Sequence, residues 1–396
     1  MAKFLPRLGW QPIFVAAQLG SGSPFHRLDN ELLKAFNEGD IIRVNDGAPF
    51  SGGSNSSVAR ATRRVYEWLL PPDSRVVWNM RIKRVLPEII ARYRPQIAIL
   101  TAPPFSTLLL GRHLKNRYGL KIVLDYRDPW TNNPIAQNTF PRRLLNPYLD
   151  RRALDSADLV TTASYEMAEF IRDGVSRAAE RTKFFGFPYG FDRGFFDDEI
   201  LTLPPKMSNG TIRATFAGSV HGEIDVDAVL EGIRLAIDGP CRTMKRLKIE
   251  CYGTLFGRSG DNDRLISQYG LESHLRIHPF LKYREFLEVL RSSSFLILPL
   301  GDFPIAHVFY PTKMFDYLGV RRPILYIGGQ GGLWNAIEGC QAGVCTRVEP
   351  KLIAQSLVSI VEGHNGHSWY TDEDAYARFD RGRIYRDFSA ELSELL

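Results

Sequence analysis

The sequence predicts two α/β domains, each built on a parallel sheet covered by helices. Three observations lead there. The chain has 396 residues, which is long for one domain and comfortable for two. Short apolar runs of strand length alternate with amphipathic segments of helix length, first in one half and again in the other; that alternation marks parallel sheets covered on both faces. The charge also changes along the chain: residues 1–192 hold 27 Lys+Arg against 18 Asp+Glu, and the remainder 23 against 26.

Bulk composition excludes several classes. Apolar residues at 44% and charged residues at 24% describe a soluble globular chain, not a disordered one. Cys241, Cys251, Cys340 and Cys345 have no metal-ligand spacing and read as free thiols in a reducing compartment. No apolar run reaches about 18 residues, so no transmembrane helix is expected. The opening Met1-Ala2-Lys3-Phe4-Leu5-Pro6-Arg7 is not followed by the long apolar core of a signal peptide. The basic first half expects an anionic partner. No zinc pattern or RNP-type motif supports nucleic acid; an anionic membrane surface or a phosphate-linked acceptor fits at least as well.

In the first half, strands are expected at Pro12–Ala16, Ile97–Leu100, Lys121–Leu124 and Leu159–Thr162, with helices at Val85–Arg94, Thr107–Arg117 and Met167–Asp173. Ligands of such sheets sit beyond the carboxyl ends of the strands, so the following loops carry the interest. One runs Thr101-Ala102-Pro103-Pro104-Phe105-Ser106-Thr107; the other runs Asp125-Tyr126-Arg127-Asp128-Pro129-Trp130. The Asp-Arg-Asp cluster offers a base and an anion clamp. Internal pairing of Arg127 with a carboxylate, with Asp128 opening an Asp-Pro turn, accounts for the pattern equally well. Gly47–Ser57 reads as a loop. Arg60, Arg63 and Arg64 mix with Tyr66 and Trp68, and Arg81, Lys83 and Arg84 follow; this is either a membrane-interface surface or a solvated face with an anchoring Trp.

In the second half, strands are expected at Ile212–Ala217, Leu247–Tyr252, Leu275–Ile277, Phe295–Leu298 and Pro323–Ile327. Gly218 ends the first of these, where bare backbone can approach a diphosphate. Pro311 and Thr312 signal a helix start, with Thr312 a candidate cap. Lys313 and Asp316 lie three apart, on one face of its first turn. They suit a phosphate and sugar hydroxyls respectively, or simply pair with one another.

The flanks of that turn carry a resemblance. Thr312, Lys313, Phe315, Tyr317, Leu318, Arg322, Pro323, Ile324 and Leu325 are similar to the donor-binding helix of GT-B glycosyltransferases, family 4-like. Pro72-Asp73, Trp78, Pro103-Pro104-Phe105-Ser106, Asp125 to Trp130, Phe187-Pro188-Tyr189-Gly190-Phe191-Asp192 and Ala217-Gly218-Ser219 resemble the same family in order. The resemblance implies a GT-B fold of two Rossmann-like domains facing across a cleft. An acceptor-side domain would span residues 1–195 and a nucleotide-sugar domain residues 196–375, with a helix over 376–396 crossing back to the first. It implies donor contacts from Gly218, Ser219, His278, Phe280, Thr312, Lys313 and Asp316. The acceptor side would involve Ser106, Asp125, Arg127 and Trp130, with Asp128 the catalytic carboxylate. His278 and His221 read as structural, whereas His307 is placed to touch the transferred sugar.

The implied reaction moves a sugar, with retention, from a nucleotide-diphosphate sugar to a glycan or lipid-linked acceptor in surface polysaccharide synthesis. No metal or cofactor is implied, and the place is cytoplasmic, at the inner face of the cell membrane. Three departures from the family stand out. Asp316 and Val308 occupy positions where relatives carry Glu, and Lys3 to Trp10 match a phrase that in relatives follows a first strand. The first strand is therefore expected to be missing, either because the true start lies upstream or because the protein is shortened. A non-catalytic GT-B homologue binding a sugar nucleotide or a partner enzyme, and a sugar-nucleotide epimerase of the same architecture, remain alternatives.

Overall fold

The computed structural model describes residues 1–18, 41–45, 70–131, 133, 140, 142–174, 182–196, 210–219, 224–254, 262–363 and 368–396. The 47–57 loop, the basic run from Arg60 to Trp68, and His221 lie outside the described residues. Of Ser219 only the backbone is described. The chain forms two compact units. One is Met1–Pro188 with Tyr385–Leu396, and the other is Tyr189–Ile384.

In the first unit β1 (Phe14–Gln18) and β2 (Ile41–Asn45) pair in parallel. A second parallel sheet has the order β3 (Ile97–Ala102), β4 (Lys121–Tyr126), β5 (Leu159–Thr162) and β6 (Lys183–Gly186). Ile122, Val123, Leu124 and Tyr126 of β4 are all fully buried, as expected of a strand covered on both faces. The helices are α1 (Val76–Tyr93), α2 (Leu110–Tyr118), α3 (Arg142–Leu154) and α4 (Tyr165–Gly174). α1 starts nine residues earlier than the sequence suggests. Asp73 accepts from the Arg75 amide at 3.0 Å and nucleates its first turn. Before α2, the stretch Phe105–Leu109 is a 3-10 turn.

The second unit holds β7 (Ile212–Ser219), α5 (Val226–Asp238), β8 (Leu247–Thr254), α6 (Asn262–Gln268), β9 (Leu275–His278), α7 (Tyr283–Arg291), β10 (Phe295–Gly301), α8 (Lys313–Val320), β11 (Ile324–Gly328), α9 (Gly332–Gly339), β12 (Gly343–Thr346), α10 (Pro350–Gly363) and α11 (Glu373–Ala377). Its strands form one sheet in the order β12-β11-β10-β7-β8-β9, with every pairing parallel. Alternate residues feed two cores. Phe295 and Ile297 join the layer with α5 and α10, and Leu296 and Leu298 join the layer with α8 and α9. Each such side chain contributes about 1.5–3 kcal/mol by leaving water.

The tail is two helices, not one. α11 ends at Ala377 and α12 runs Arg381–Glu394. Between them the backbone bonds elsewhere: Phe379 O accepts from the Phe191 amide at 2.9 Å, and the Arg381 amide donates to Phe191 O at 2.8 Å. The end of α12 packs in the first unit, where Phe388 stacks on Phe187 with ring centroids 4.3 Å apart and Lys183 meets Glu391 at 2.6 Å.

Candidate functional site

The sheet of the second unit reverses direction once. From β7 the chain builds outward through β8 and β9, then returns to place β10 on the other side of β7 and continues to β12. Ligands of open α/β sheets bind at such a switch point, outside the carboxyl ends of the strands. Gly218 is the penultimate residue of β7, and α8 follows β10, so both features singled out in the sequence flank the switch.

Their local geometry is specific. Gly218 (φ +110°) lies in register with Gly253 (φ +129°) at the end of β8. A Cβ on Gly253 would fall 2.4 Å from the Gly218 carbonyl. Both positions need glycine, and together they leave two strand ends bare of side chains. The Lys313 ammonium lies 4.6 Å from the centroid of the Phe216 ring and 3.1 Å from where a Gly218 Cβ would stand. It makes no ion pair or hydrogen bond among the described residues. Burial lowers its pKa to about 8. A partly buried cation facing bare backbone and lacking a carboxylate is chemically suited to an anion.

Asp316 does not pair with Lys313. Its Oδ1 accepts from the Tyr283 hydroxyl at 2.7 Å, and burial raises its pKa to about 6 against the opposing pull of Tyr283 and Arg381. Thr312 is exposed and caps nothing. Its backbone is already helical (φ −55°, ψ −34°), whereas a capping side chain needs an extended residue to reach the following amides. No side chain caps the start of α8, then, and its leading end points an uncapped turn outward.

His278 binds Glu250 through Nε2 at 2.5 Å and stacks on Tyr252, so its place is structural. Phe280 is half in solvent, with its ring edge 3.0 Å from the Gly253 Cβ position. It is thus an exposed aromatic face beside the bare strand ends.

The sequence reading passed over two features. Tyr317 is fully buried; its hydroxyl accepts from the Ala217 amide at 3.0 Å and reaches Ile297 O at 3.4 Å, lashing α8 to β7 and β10. Gly328, Gly329, Gly331 and Gly332 form a glycine-rich turn between β11 and α9. This strand–glycine–helix order was visible in the sequence. A Cβ on Gly331 would sit 2.4 Å from His307 Cα, so the exposed His307 packs against this turn.

In the first unit, the alternatives left open at Asp125–Asp128 are resolved. Arg127 bonds both carboxylate oxygens of Asp125 and donates to Phe187 O at 2.9 Å. Thr161 donates to Asp125 at 2.7 Å. Asp125 and Arg127 therefore brace the end of β4. Asp128 is different: it is partly buried and makes no bond among the described residues, and burial raises its pKa while Arg127 partly offsets the rise.

Ser106 and Trp130, expected on the acceptor side, are sealed from solvent. The Ser106 hydroxyl donates to Asp73 at 2.6 Å, and Trp130 stacks on Phe105 with centroids 5.3 Å apart. Both are packed inside the first unit, where they brace these loops and offer no surface to solvent. A pair missed in the sequence, Tyr126 and Thr131, donates to Asp150 at 2.7 and 2.9 Å. Asp150 thus clamps both sides of the Asp128 turn. Burial raises its pKa to about 6.

Comparisons with known proteins bear on the fold. Residues 1–186 match the glycosyl transferase 4-like domain. No curated protein sequence matches the chain. Sucrose-phosphate synthase from Thermosynechococcus elongatus superposes with a TM-score of 0.67 at 12% identity, covering 100% of this chain and 91% of that one. A glycosyltransferase from Rickettsia africae superposes at 0.63 and 14% identity, over 100% and 92% of the two chains. Anabaena HepE in complex with UDP superposes at 0.62 and 15% identity, over 97% and 100%. Residues 1–186 thus match a glycosyl transferase 4-like domain, and the chain as a whole has the GT-B fold of these structures.

Proposed function

We propose that the protein transfers a sugar from a nucleotide-diphosphate sugar to a glycan or lipid-linked acceptor, with retention, in surface polysaccharide synthesis at the inner face of the cell membrane. The observation that carries the donor assignment is the unpaired Lys313 ammonium over the bare end of β7. A diphosphate supplies the missing anion. The uncapped first turn of α8 and the backbone of Gly218 and Ser219 add partial positive charge. Charge building on the leaving diphosphate is met by these groups, so the reading assigns neutralisation to the protein and not to a metal or cofactor.

Asp316, one turn along α8, accepts from ribose hydroxyls, and Phe280 offers a face to the base. Among the structural neighbours, HepE was solved with UDP, and the E. coli trehalose-6-phosphate protein with UDP-2-fluoro glucose; both support the ligand class. On the acceptor unit, Asp128 is the carboxylate free to take a proton.

The test is thermal stability with a panel of nucleoside diphosphates and their sugars. One base should stabilise the protein, by on the order of 3 kcal/mol at a hundredfold excess over Kd, and Lys313→Ala should abolish the shift. A folded protein that responds to no nucleotide sinks the donor assignment. A response that is unchanged in Lys313→Ala sinks the role of Lys313.

A further inference from the structure

Helices α1, α2 and α3 of the first unit border a cavity of ≈ 500 Å³. Its lining includes Lys83, Arg112, His113, Arg117, Leu149 and Arg152, and none of the described lining residues is acidic. Lys83, Arg112, Arg117 and Arg152 form no ion pair among the described residues. Arg117 lies over the Tyr118 ring at 5.8 Å, and His113 meets the same ring edge-on at 5.9 Å. The crowding of charge registers on His113, whose pKa is lowered by burial and then by Lys83 and Arg117. Gathered cations without a counter-charge repel one another, and the cluster gains most when an anion joins it.

Apolar side chains are exposed on, or just before, two of the helices that border the cavity. Eight large hydrophobic side chains are exposed among the described residues, and Met80, Phe140, Leu144, Leu145 and Tyr148 are five of them. Leu145, Tyr148 and Arg152 follow at helical spacing on α3, so one stripe runs from exposed apolar surface into the basic cavity. Met80 stands one turn before Lys83 on α1. Arg143 and Arg151, also exposed and without ion pairs among the described residues, flank the apolar side chains.

We propose that this face docks on an anionic lipid bilayer. Leu144, Leu145 and Tyr148 enter the interfacial layer, and the cavity takes a phosphate headgroup between Lys83, Arg112, Arg117 and Arg152. Cations alone would serve a nucleic acid equally well. Exposed leucines and a methionine gain nothing from a phosphate backbone, whereas an interfacial helix uses basic and apolar side chains together. The choice of a membrane partner rests on the function proposed above, but docking is measured without any sugar transfer. A failure to dock and a failure to bind nucleotide are therefore separate results.

The test is flotation of the full chain with vesicles of phosphatidylcholine alone and of phosphatidylcholine with phosphatidylglycerol. The anionic vesicles should bind at least about tenfold more tightly. Arg112→Glu with Arg152→Glu should abolish the difference. Leu144→Ser with Tyr148→Ser should weaken binding by about tenfold. Both variants should keep the melting temperature and the nucleotide response of the parent. In Tyr148→Trp, the emission of the new indole should move to the blue with anionic vesicles and stay put with neutral ones.

Equal binding to both vesicle types, or anionic binding that survives the charge reversal, overturns the proposal. So does stabilisation by inorganic phosphate or a short oligoribonucleotide, lost on charge reversal, in a protein that floats with no vesicle.

Discussion

Lys313 and Gly218, 95 positions apart in the chain, meet so closely that a single methyl group on the glycine would stand 3.1 Å from the lysine nitrogen. The backbone of Gly218, at φ +110°, also lies where L side chains are strained. Gly218→Ala should therefore cost about 1–3 kcal/mol in stability and displace the ammonium. Nucleotide affinity should fall by more than stability does, as read by titration of the folded variant against its melting curve.

Burial holds the Lys313 ammonium at a pKa of about 8, against 10.5 for a free lysine. Below pH 8 the folded and unfolded chains both carry the proton, and the cost of burying it is felt in full. Between pH 8 and 10.5 the unfolded chain holds more protons, so stability rises with pH, by about 3 kcal/mol at most. An anion beside the amine reverses the shift. Nucleotide binding near pH 9 should then take up about one proton, visible by calorimetry in buffers of different ionisation enthalpy. Lys313→Met should lose both the proton uptake and the alkaline gain in stability.

Asp316 behaves in the opposite sense. Its folded pKa of about 6 lies above the free value of 3.8, so stability is greatest below pH 3.8 for this group and declines as pH rises through 6. Asp316→Asn should remove that decline. If the carboxylate holds ribose, it should also reduce the preference for a ribonucleotide over its dideoxy form by about tenfold. Tyr283→Phe, which removes the 2.7 Å hydrogen bond to Asp316, should weaken the same preference and cost about 1 kcal/mol in stability.

Asp128→Asn should leave nucleotide affinity unchanged and lower the rate of sugar transfer by about a hundredfold or more. Stability should hold or rise, since the variant no longer buries a charge. A variant with normal turnover removes Asp128 from the chemistry.

Arg127→Ala strands Asp125, which is 1% exposed, without its guanidinium. A loss of about 3–5 kcal/mol is expected in denaturant unfolding of the first unit. Arg127→Lys should recover only part of it, because one ammonium cannot bond both carboxylate oxygens and Phe187 O together.

The strands that form the middle of each sheet were legible because burial on both faces makes them continuous apolar runs, as in Ile122 to Leu124 and Phe295 to Leu298. Three were missed. Ile41–Asn45 and Gly343–Thr346 are short and polar-flanked at sheet edges, and Lys183–Gly186 is only four residues long. Lys313 and Gly218 could each be singled out locally, since helix starts and strand-end glycines have local signatures. Their contact could not, because it depends on the order in which β10 returns beside β7. Ser106 and Trp130 matched a motif yet turned inward; a match records residue type, and burial is decided by neighbours such as Asp73 and Phe105 that lie elsewhere in the chain. The unit boundary falls after Pro188, some residues before the 195 read from the sequence.

The chain passes from one unit to the other twice, once after Pro188 and once after Ile384. Cutting at either junction alone therefore yields no independent half. A fragment ending at Pro188 keeps Phe187 but loses Phe388, which stacks on it, and loses Glu391, which holds Lys183. The last dozen residues are thus an insurance policy written by the first unit and carried by the second. Grafting a second unit from another protein would need both seams rebuilt, with Tyr385–Leu396 kept from the recipient, or the recipient's own first unit would be the part that fails to fold.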